Sequence, residues 1–125
     1  DMGLLFSEEG QDGKKHSIAY LTDCSFVPEN SIELVKNNSG ILEHLVIDGL
    51  RLEPHSTHFS FEQALEAAQK MNPRNVYLTH ITHNMSHVQI EDYVKSILWK
   101  FPLLKKNTEN GFYIGPAYDG LELVC

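Results

Sequence analysis

Three histidines recur at positions 80, 83 and 87, within the stretch from Asn75 to His87. Three β-formers precede them and favour a short buried strand; they are Val76, Tyr77 and Leu78. Imidazole nitrogens are ligands for zinc, manganese and iron. A strand that runs into a group of imidazoles therefore predicts a functional site at its end.

Two other parts of the chain place similar groups after strands. Asp23 follows a predicted strand over Ser17 to Thr22, and His55 and His58 lie in a loop after a predicted strand over Ile41 to Asp48. Functional groups in open α/β sheets gather at the carboxyl ends of the strands. A carboxylate with imidazoles suits a divalent metal, and an aspartate can bridge two ions. These segments therefore predict a metal site at one sheet edge.

Simpler roles compete with this interpretation. An aspartate after a strand is commonly a turn or cap residue, and an isolated histidine is commonly a hydrogen-bonded polar residue. The HxxH spacing alone is weak, and no HExxH accompanies it. His83 and His87 fit either groups that orient ligands or polar residues at a helix start. His16 is expected in a solvated loop and His44 on the sheet surface. The coincidence of three strand ends favours the metal site.

A thiol enzyme is a further alternative, since Cys24 follows Asp23. No motif around Cys24 supports a nucleophile, and a small buried side chain is the favoured role. The other cysteine, Cys125, is far away in the chain, and neither CxxC spacing nor a secretory leader is present. Reduced thiols in a cytoplasmic protein are expected.

The charge balance limits the partners. Ten Lys and Arg against seventeen Asp and Glu give a net charge of −7. This charge argues against nonspecific binding to nucleic acid or to an anionic membrane. No apolar run reaches the roughly 18 to 20 residues needed to span a bilayer. A phosphorylated substrate stays open, because a bound metal reverses the local sign of charge.

The order of predicted elements is ββαβαβαββ, which indicates one α/β layer pair. The first two strands form a hairpin with a mobile loop over Glu8 to Lys15. The firmest helix starts at a capping box of Ser60 and Gln63. Three helices are expected in all. Lys105 to Asn110 is predicted to be a polar loop, and two short strands are predicted on either side of Gly115-Pro116.

Four motifs, spread over almost the whole chain, carry a family resemblance. They are Thr22-Asp23, Pro54-His55-Ser56-Thr57-His58-Phe59-Ser60, Tyr77-Leu78-Thr79-His80-Ile81-Thr82-His83 and Ala117-Tyr118-Asp119-Gly120-Leu121-Glu122-Leu123. In this order they resemble the carboxyl-terminal half of metallo-β-lactamase-fold hydrolases. In particular they are similar to the branch of phosphoribosyl 1,2-cyclic phosphate phosphodiesterases, which is related to the tRNA 3′-processing endonucleases.

The resemblance implies an αββα sandwich with two divalent ions, zinc or manganese. This chain would supply about one α/β half of it, a mixed sheet with three helices. Asp23 would bridge both ions, His80 would bind the second ion, and His58 would contact the scissile phosphate or assist the leaving group. The remaining residues in matching motifs would support the ligands or the substrate; they are His55, His83 and Asp119.

The resemblance also implies a metal-dependent hydrolase, a phosphodiesterase that uses a hydroxide held by two metals. The family motif HxHxDH and a further histidine ligand belong upstream of Asp23, where only 22 residues stand, and neither is present. Residues 1–125 are therefore expected to be the carboxyl-terminal half of the domain, inactive and low in metal when alone. The alternative is a non-catalytic binding or regulatory module that retains half of the fold.

The expected substrate is a small phosphodiester. A cyclic phosphate, an RNA end or a thioester would suit the same residues, whereas other nucleic acids and membranes are not expected partners. Exposed core surface on a half-domain further predicts association, as a homodimer that pairs its open faces.

Overall fold

Strands and helices alternate along the part of the chain that the structure describes. The computed structural model of this protein describes residues 2–22, 29–48, 57–79 and 86–117. The strands are β1 (Met2–Glu9), β2 (Lys15–Thr22), β3 (Ile41–Asp48), β4 (Asn75–Thr79) and β5 (Ile114–Pro116). The helices within these ranges are α1 (Glu29–Asn38), α2 (Thr57–Met71), α3 (His87–Ile97) and α4 (Pro102–Glu109), with a 3-10 turn over Leu98–Lys100 between the last two.

The five strands form one sheet in the order β1-β2-β3-β4-β5. β1 and β2 are an antiparallel hairpin, and β2, β3, β4 and β5 are parallel neighbours. Parallel neighbours need crossover connections, and α1 and α2 supply them between β2, β3 and β4. The predicted α/β layer pair with a mixed sheet is confirmed.

The hydrophobic core lies between one face of the sheet and the helices. Register pairs Ala19 with Leu45, and Leu45 with Val76, so these three side chains share a face. All three are fully buried and belong to the same cluster as core residues from each described helix. The helix residues at the centre of this cluster are Ile32, Val35, Phe61, Leu65, Ala68, Ile90, Val94 and Leu104. None of the described helices covers the other face, which carries Ile18, Val46 and Tyr77 by register.

The pairing of β2 with β3 contains a bulge. Ser17 pairs with Leu42, but the next residue, Ile18, pairs with His44. Glu43 is therefore an extra residue in β3, and the register shift allows both Leu42 and Leu45 to face the helices. The bulge explains why β3 lacks a simple alternation in its sequence.

The helix boundaries differ from the prediction at two places. α2 begins at Thr57, so Ser60 lies inside the helix rather than capping it. α4 occupies the predicted polar loop over Lys105 to Asn110. Pro102 fits the first turn of α4, where its missing N–H costs nothing, and Leu104 is fully buried in the core. The buried Leu104 and the bond from the Leu103 N–H to Oε1 of Gln69 attach this otherwise polar segment to the core and to α2.

The bounds of the strands also differ from the prediction. β1 and β2 run further into the predicted loop than expected, since Glu9 pairs with Lys15. The Gly10 N–H donates to the Lys14 carbonyl oxygen at 2.8 Å, and Gly13 supplies the positive φ of the tight turn. Gly115 and Pro116, predicted to separate two strands, lie within β5. The strand predicted after them falls outside the described residues, apart from its first residue.

No helix in the described ranges has both the length and the apolar character required to cross a membrane.

Candidate functional site

The carboxyl ends of β2, β3 and β4 lie side by side at one edge of the sheet. Leu21 pairs with Ile47 and Ile47 pairs with Leu78, so the three strands reach the same level. The Thr79 hydroxyl donates to the Ile47 carbonyl oxygen at 3.5 Å, across the last pair of this ladder. Strands in a sheet are about 4.8 Å apart, so the ends of β2 and β4 are separated by about 10 Å.

The predicted metal ligands follow these ends directly in the chain. Asp23 is the next residue after Thr22, the end of β2, and His80 is the next residue after Thr79, the end of β4. The topology thus brings together the strand ends from which both ligands were predicted to extend. Asp23 and His80 themselves lie outside the described residues, as do the other predicted positions His55, His83 and Asp119 and the alternative nucleophile Cys24. Their roles as ligands or supporting groups stay predictions.

His58 was predicted to lie in a loop, but it belongs to the first turn of α2. The path of that helix fixes the level of His58 along the strands. The carboxyl end of α2 lies near the amino ends of the strands. Three residues after the helix, the Arg74 N–H donates to the Leu42 carbonyl oxygen at 2.9 Å. The 15 residues of α2 make a helix about 22 Å long. β4 has five residues and spans about 17 Å. The first turn of α2 therefore reaches the level of the carboxyl edge. The side chain of His58 is outside the described part.

α3 also begins after the carboxyl edge, and its start is firmly capped. The Gln89 N–H donates to Oγ of Ser86 at 3.1 Å, and the Ser86 N–H donates to Oε1 of Gln89 at 2.8 Å. Nε2 of His87 lies 3.1 Å from Oε2 of Glu91, one turn further on. His87 is thus a polar residue at a helix start, one of its two predicted roles. The capping box was legible in the sequence as Ser86 followed three residues later by Gln89.

The described residues contain a second polar cluster, at the opposite edge of the sheet. Nδ1 of His16 lies 2.6 Å from Oε2 of Glu43, and its Nε2 lies 3.0 Å from both carboxylate oxygens of Asp12. Nη1 of Arg74 lies 3.1 Å from Oε2 of Glu43 and its guanidinium stands over the ring of Phe112. We refer to Asp12, His16, Glu43 and Arg74 as the amino-edge cluster.

The amino-edge cluster corrects the prediction for His16. This histidine is part of β2, not of a loop, and its side chain is only 13% exposed. The carboxylates of Glu43 and, secondly, Asp12 raise the pKa of His16 above its ordinary value. The Lys14 backbone N–H and His16 lower the pKa of Asp12. Both carboxylates therefore favour the charged, imidazolium form of His16.

The geometry of the amino-edge cluster does not suit a metal ion. Its two carboxylates contact opposite nitrogens of one imidazole ring, so they do not converge on a common point. Across the described ranges, no group of three or more His, Cys, Asp or Glu side chains is arranged to hold a metal. The cluster is best described as an electrostatic clamp between the hairpin turn and the parallel strands. Asp12 and His16 are four residues apart, but Glu43 and Arg74 lie far from them along the chain, so local sequence does not indicate the cluster.

His44 lies on the sheet surface, as predicted. Its Nδ1 lies 3.3 Å from both the Asn75 amide nitrogen and the Tyr77 hydroxyl oxygen. Tyr77 stacks in turn on Tyr113, with ring centroids 5.4 Å apart. These contacts give His44 a structural role on the face that carries no described helix.

One comparison with known proteins identifies a related family. The model of the beta-lactamase superfamily domain matches residues 2–81, which is more than half of the chain. The matched range includes four of the predicted site residues (Asp23, His55, His58 and His80) and ends before His83. Searches of curated proteins and of solved structures gave no significant match.

Proposed function

The chain belongs to the beta-lactamase superfamily, and from this membership we propose that it is the carboxyl-terminal portion of a metal-dependent hydrolase that cleaves phosphodiesters. The metallo-β-lactamase-like fold agrees with the five-stranded sheet and its helices. The observation that carries the proposal is the common level of the ends of β2 and β4, because the next residues are a carboxylate and an imidazole.

The chemistry of this donor pair fits divalent zinc or manganese. Asp23 would hold ions through its two oxygens, and His80 would hold one through a ring nitrogen. Ions bound there would lower the pKa of water and offset the negative charge of a phosphate.

His58 would act on the substrate rather than on the metal. Its position in the first turn of α2 is close to helix N–H groups and to the positive end of the helix dipole, both of which favour an anionic phosphate. An imidazole beside the leaving oxygen can donate the proton that this oxygen needs as the ester bond breaks. His55, His83 and Asp119 would orient the ligands or the substrate.

Two donors are too few to close the coordination of even one ion, which takes about four ligands for zinc. We therefore infer that the active enzyme is a longer protein and that residues 1–125 alone are catalytically silent. The substrate class we propose is a small phosphodiester such as a cyclic phosphate. The net charge of −7 disfavours a long nucleic acid, although an RNA end would present the same chemical group.

Metal titration of the chain tests the site. Zinc or manganese binding is measured by calorimetry for the unaltered chain, Asp23→Asn, His80→Gln and the control His44→Gln, a histidine of the sheet surface. Binding is expected to be weak, and each ligand substitution should weaken it by about tenfold or more. Equal affinities for all four proteins would overturn the assignment of Asp23 and His80.

A turnover assay compares residues 1–125 with the longer protein. A chromogenic phosphodiester, bis(4-nitrophenyl) phosphate, should not be hydrolysed by residues 1–125, and should be hydrolysed by a longer protein that supplies the missing histidines. In that protein, His58→Ala should lower kcat by about a hundredfold. Tight stoichiometric metal binding with turnover by residues 1–125 would contradict the inference. Metal binding without turnover by the longer protein would instead support a binding or regulatory module.

A further inference from the structure

β1 is an edge strand of the sheet, and it carries exposed apolar side chains. Within the described part of the chain, β1 pairs only with β2. Leu4 and Phe6 are 58% and 54% exposed. Edge strands are usually protected from pairing by charges, prolines or bulges. β1 has eight residues, a regular register with β2 and no charge before Glu8. Among the described residues, nothing of these kinds protects the edge over most of its length.

The edge is apolar on both faces of the sheet. Leu4 and Phe6 pair with Tyr20 and Ile18, so they lie on the face without described helices, whereas Leu5 pairs with Ala19 and lies on the helix face. On the helix side a groove of about 230 Å³ runs beside β1, lined by Leu4, Leu5, Leu21, Ser31, Leu34 and Val35. An additional strand at this edge would therefore find apolar surface on both faces.

We propose that β1 pairs antiparallel with β1 of a second copy of this chain, so that two sheets join into one. Such a pair has a two-fold axis perpendicular to the sheet, which keeps the helices of both copies on the same side. Residues that face each other must then share a face, so their numbers must both be even or both be odd.

Of the registers that satisfy this condition, one places apolar side chains opposite apolar side chains. With Leu5 opposite Leu5 of the second copy, Leu4 lies opposite Phe6 twice, once on each side of the axis. Gly3 lies opposite Ser7, which leaves room on the helix side. The three exposed or half-buried apolar residues of each copy thus meet apolar partners, and cross-strand pairs of this kind stabilise a sheet.

The position of Glu8 favours the same arrangement. In this register Glu8 lies opposite Met2 of the second copy, and the acidic ends of the two strands point in opposite directions. A parallel pairing would place Glu8 and Glu9 beside the same residues of the second copy, and like charges in adjacent strands destabilise a sheet. Within residues 2–8, the antiparallel register places no acidic residue opposite another acidic residue. This dimer is distinct from one that pairs the open sheet faces, and it is independent of the proposed catalytic role.

Analytical ultracentrifugation over a concentration series tests whether the dimer forms. The unaltered chain should shift from monomer to dimer as its concentration rises. Phe6→Lys and Leu4→Lys should each raise the dissociation constant by about tenfold or more. The matched control is Val88→Lys, at a site on α3 that is 62% exposed, and it should leave the dissociation constant unchanged. Circular dichroism identifies any variant that does not fold, and the other β1 variant then decides. A monomer at every concentration, or a dimer insensitive to both β1 substitutions, would overturn the proposal.

Cysteine cross-linking tests the register. In a background with Cys24→Ser and Cys125→Ser, proteins carrying Leu4→Cys and Phe6→Cys are oxidised separately and as a mixture. The mixed disulfide should form faster than either symmetric one, because the register places residue 4 opposite residue 6 and not opposite itself. Faster formation of a symmetric disulfide would overturn this register, and equal rates would indicate contact through another surface.

Discussion

Nδ1 of His16 lies 2.6 Å from Oε2 of Glu43, although 27 positions separate the two residues along the chain. Asp12 contacts the other ring nitrogen, and Nη1 of Arg74 contacts the same oxygen of Glu43. The amino-edge cluster therefore joins the hairpin turn, β2, β3 and the start of β4 through one imidazole. Its charge state should influence the stability of the sheet.

Stability should fall as pH rises above 6.5. The carboxylates raise the pKa of His16 in the folded state above the ordinary value of 6.5. The stabilisation is therefore complete below pH 6.5 and is lost as pH rises through the folded-state pKa. The melting temperature is measured as a function of pH for the unaltered chain and His16→Gln, and the slope above pH 6.5 should be shallower in the variant. Equal slopes would contradict a charged His16 in the clamp.

The two carboxylates should contribute unequally to this slope. The hydrogen bond to Glu43 is the largest single cause of the raised His16 pKa. Oε2 of Glu43 lies 2.6 Å from the ring on a side chain that is 14% exposed, whereas Oδ2 of Asp12 lies 3.0 Å away on a side chain that is 47% exposed. Glu43→Gln should therefore flatten the dependence of melting temperature on pH more than Asp12→Asn does. The same melting curves provide the measurement, and a steeper effect of Asp12→Asn would reverse the assignment.

Phe61 should be one of the most sensitive core positions. It is fully buried, and its ring centroid lies 5.9 Å from that of Tyr93. Phe61→Ala should lower the free energy of unfolding by about 3 to 5 kcal/mol, because it removes buried apolar surface and leaves a cavity. Trp99 is 70% exposed, so Trp99→Ala should change the free energy of unfolding by about 0.5 kcal/mol or less. Chemical denaturation compares the two, and similar losses would show that α2 is not packed as described.

Gly40 should not tolerate a side chain. Its φ is +62°, and a Cβ there would stand 2.5 Å from the backbone oxygen of Lys15. Gly40→Ala should cost more than about 2 kcal/mol, since backbone strain and a clash with main chain combine. Gly13 has a similar φ of +79° but nothing within 4 Å of the added atom. Gly13→Ala is therefore the control for strain alone, at about 1 kcal/mol. Equal losses on denaturation would argue against the close approach of Gly40 to β2.

The capping box of α3 should contribute about 1 kcal/mol to the free energy of unfolding. Ser86→Ala removes the side chain that accepts from the Gln89 N–H. Ser96→Ala, within the same helix, removes only a bond to the carbonyl oxygen of Tyr93 and should be nearly neutral. Urea denaturation of both variants measures the difference. A larger loss from Ser96→Ala would mean that α3 does not start where the structure places it.

The parallel part of the fold could be predicted because its signals are local. The apolar run of β3, the buried face of α2 from Phe61 to Met71 and the breaks between elements each lie within a few residues. Crossovers between parallel strands then bring the strand ends to one edge, which is why the neighbourhood of the candidate site followed from sequence. The coordination by Asp23 and His80 depends on residues beyond the described ranges and stays a prediction.

The features that sequence reasoning missed depend on distant contacts. α4 is held by Leu104 in the core and by the Asn107 amide, which donates to the Pro73 carbonyl oxygen at 2.8 Å across 34 positions. The amino-edge cluster likewise depends on a bulge and on partners from separate elements. Propensity and periodicity describe neighbours along the chain, so neither one could indicate these contacts.

The bulge in β3 bears on how the amino-edge cluster could have arisen. Without Glu43, the remaining residues Leu42, His44, Leu45, Val46 and Ile47 would alternate regularly between the two faces of the sheet. Glu43 is thus dispensable for the hydrophobic pattern, yet its carboxylate contacts both His16 and Arg74. A single-codon insertion at this position would introduce a charged junction at the sheet edge while leaving every buried residue of the strand on its original face.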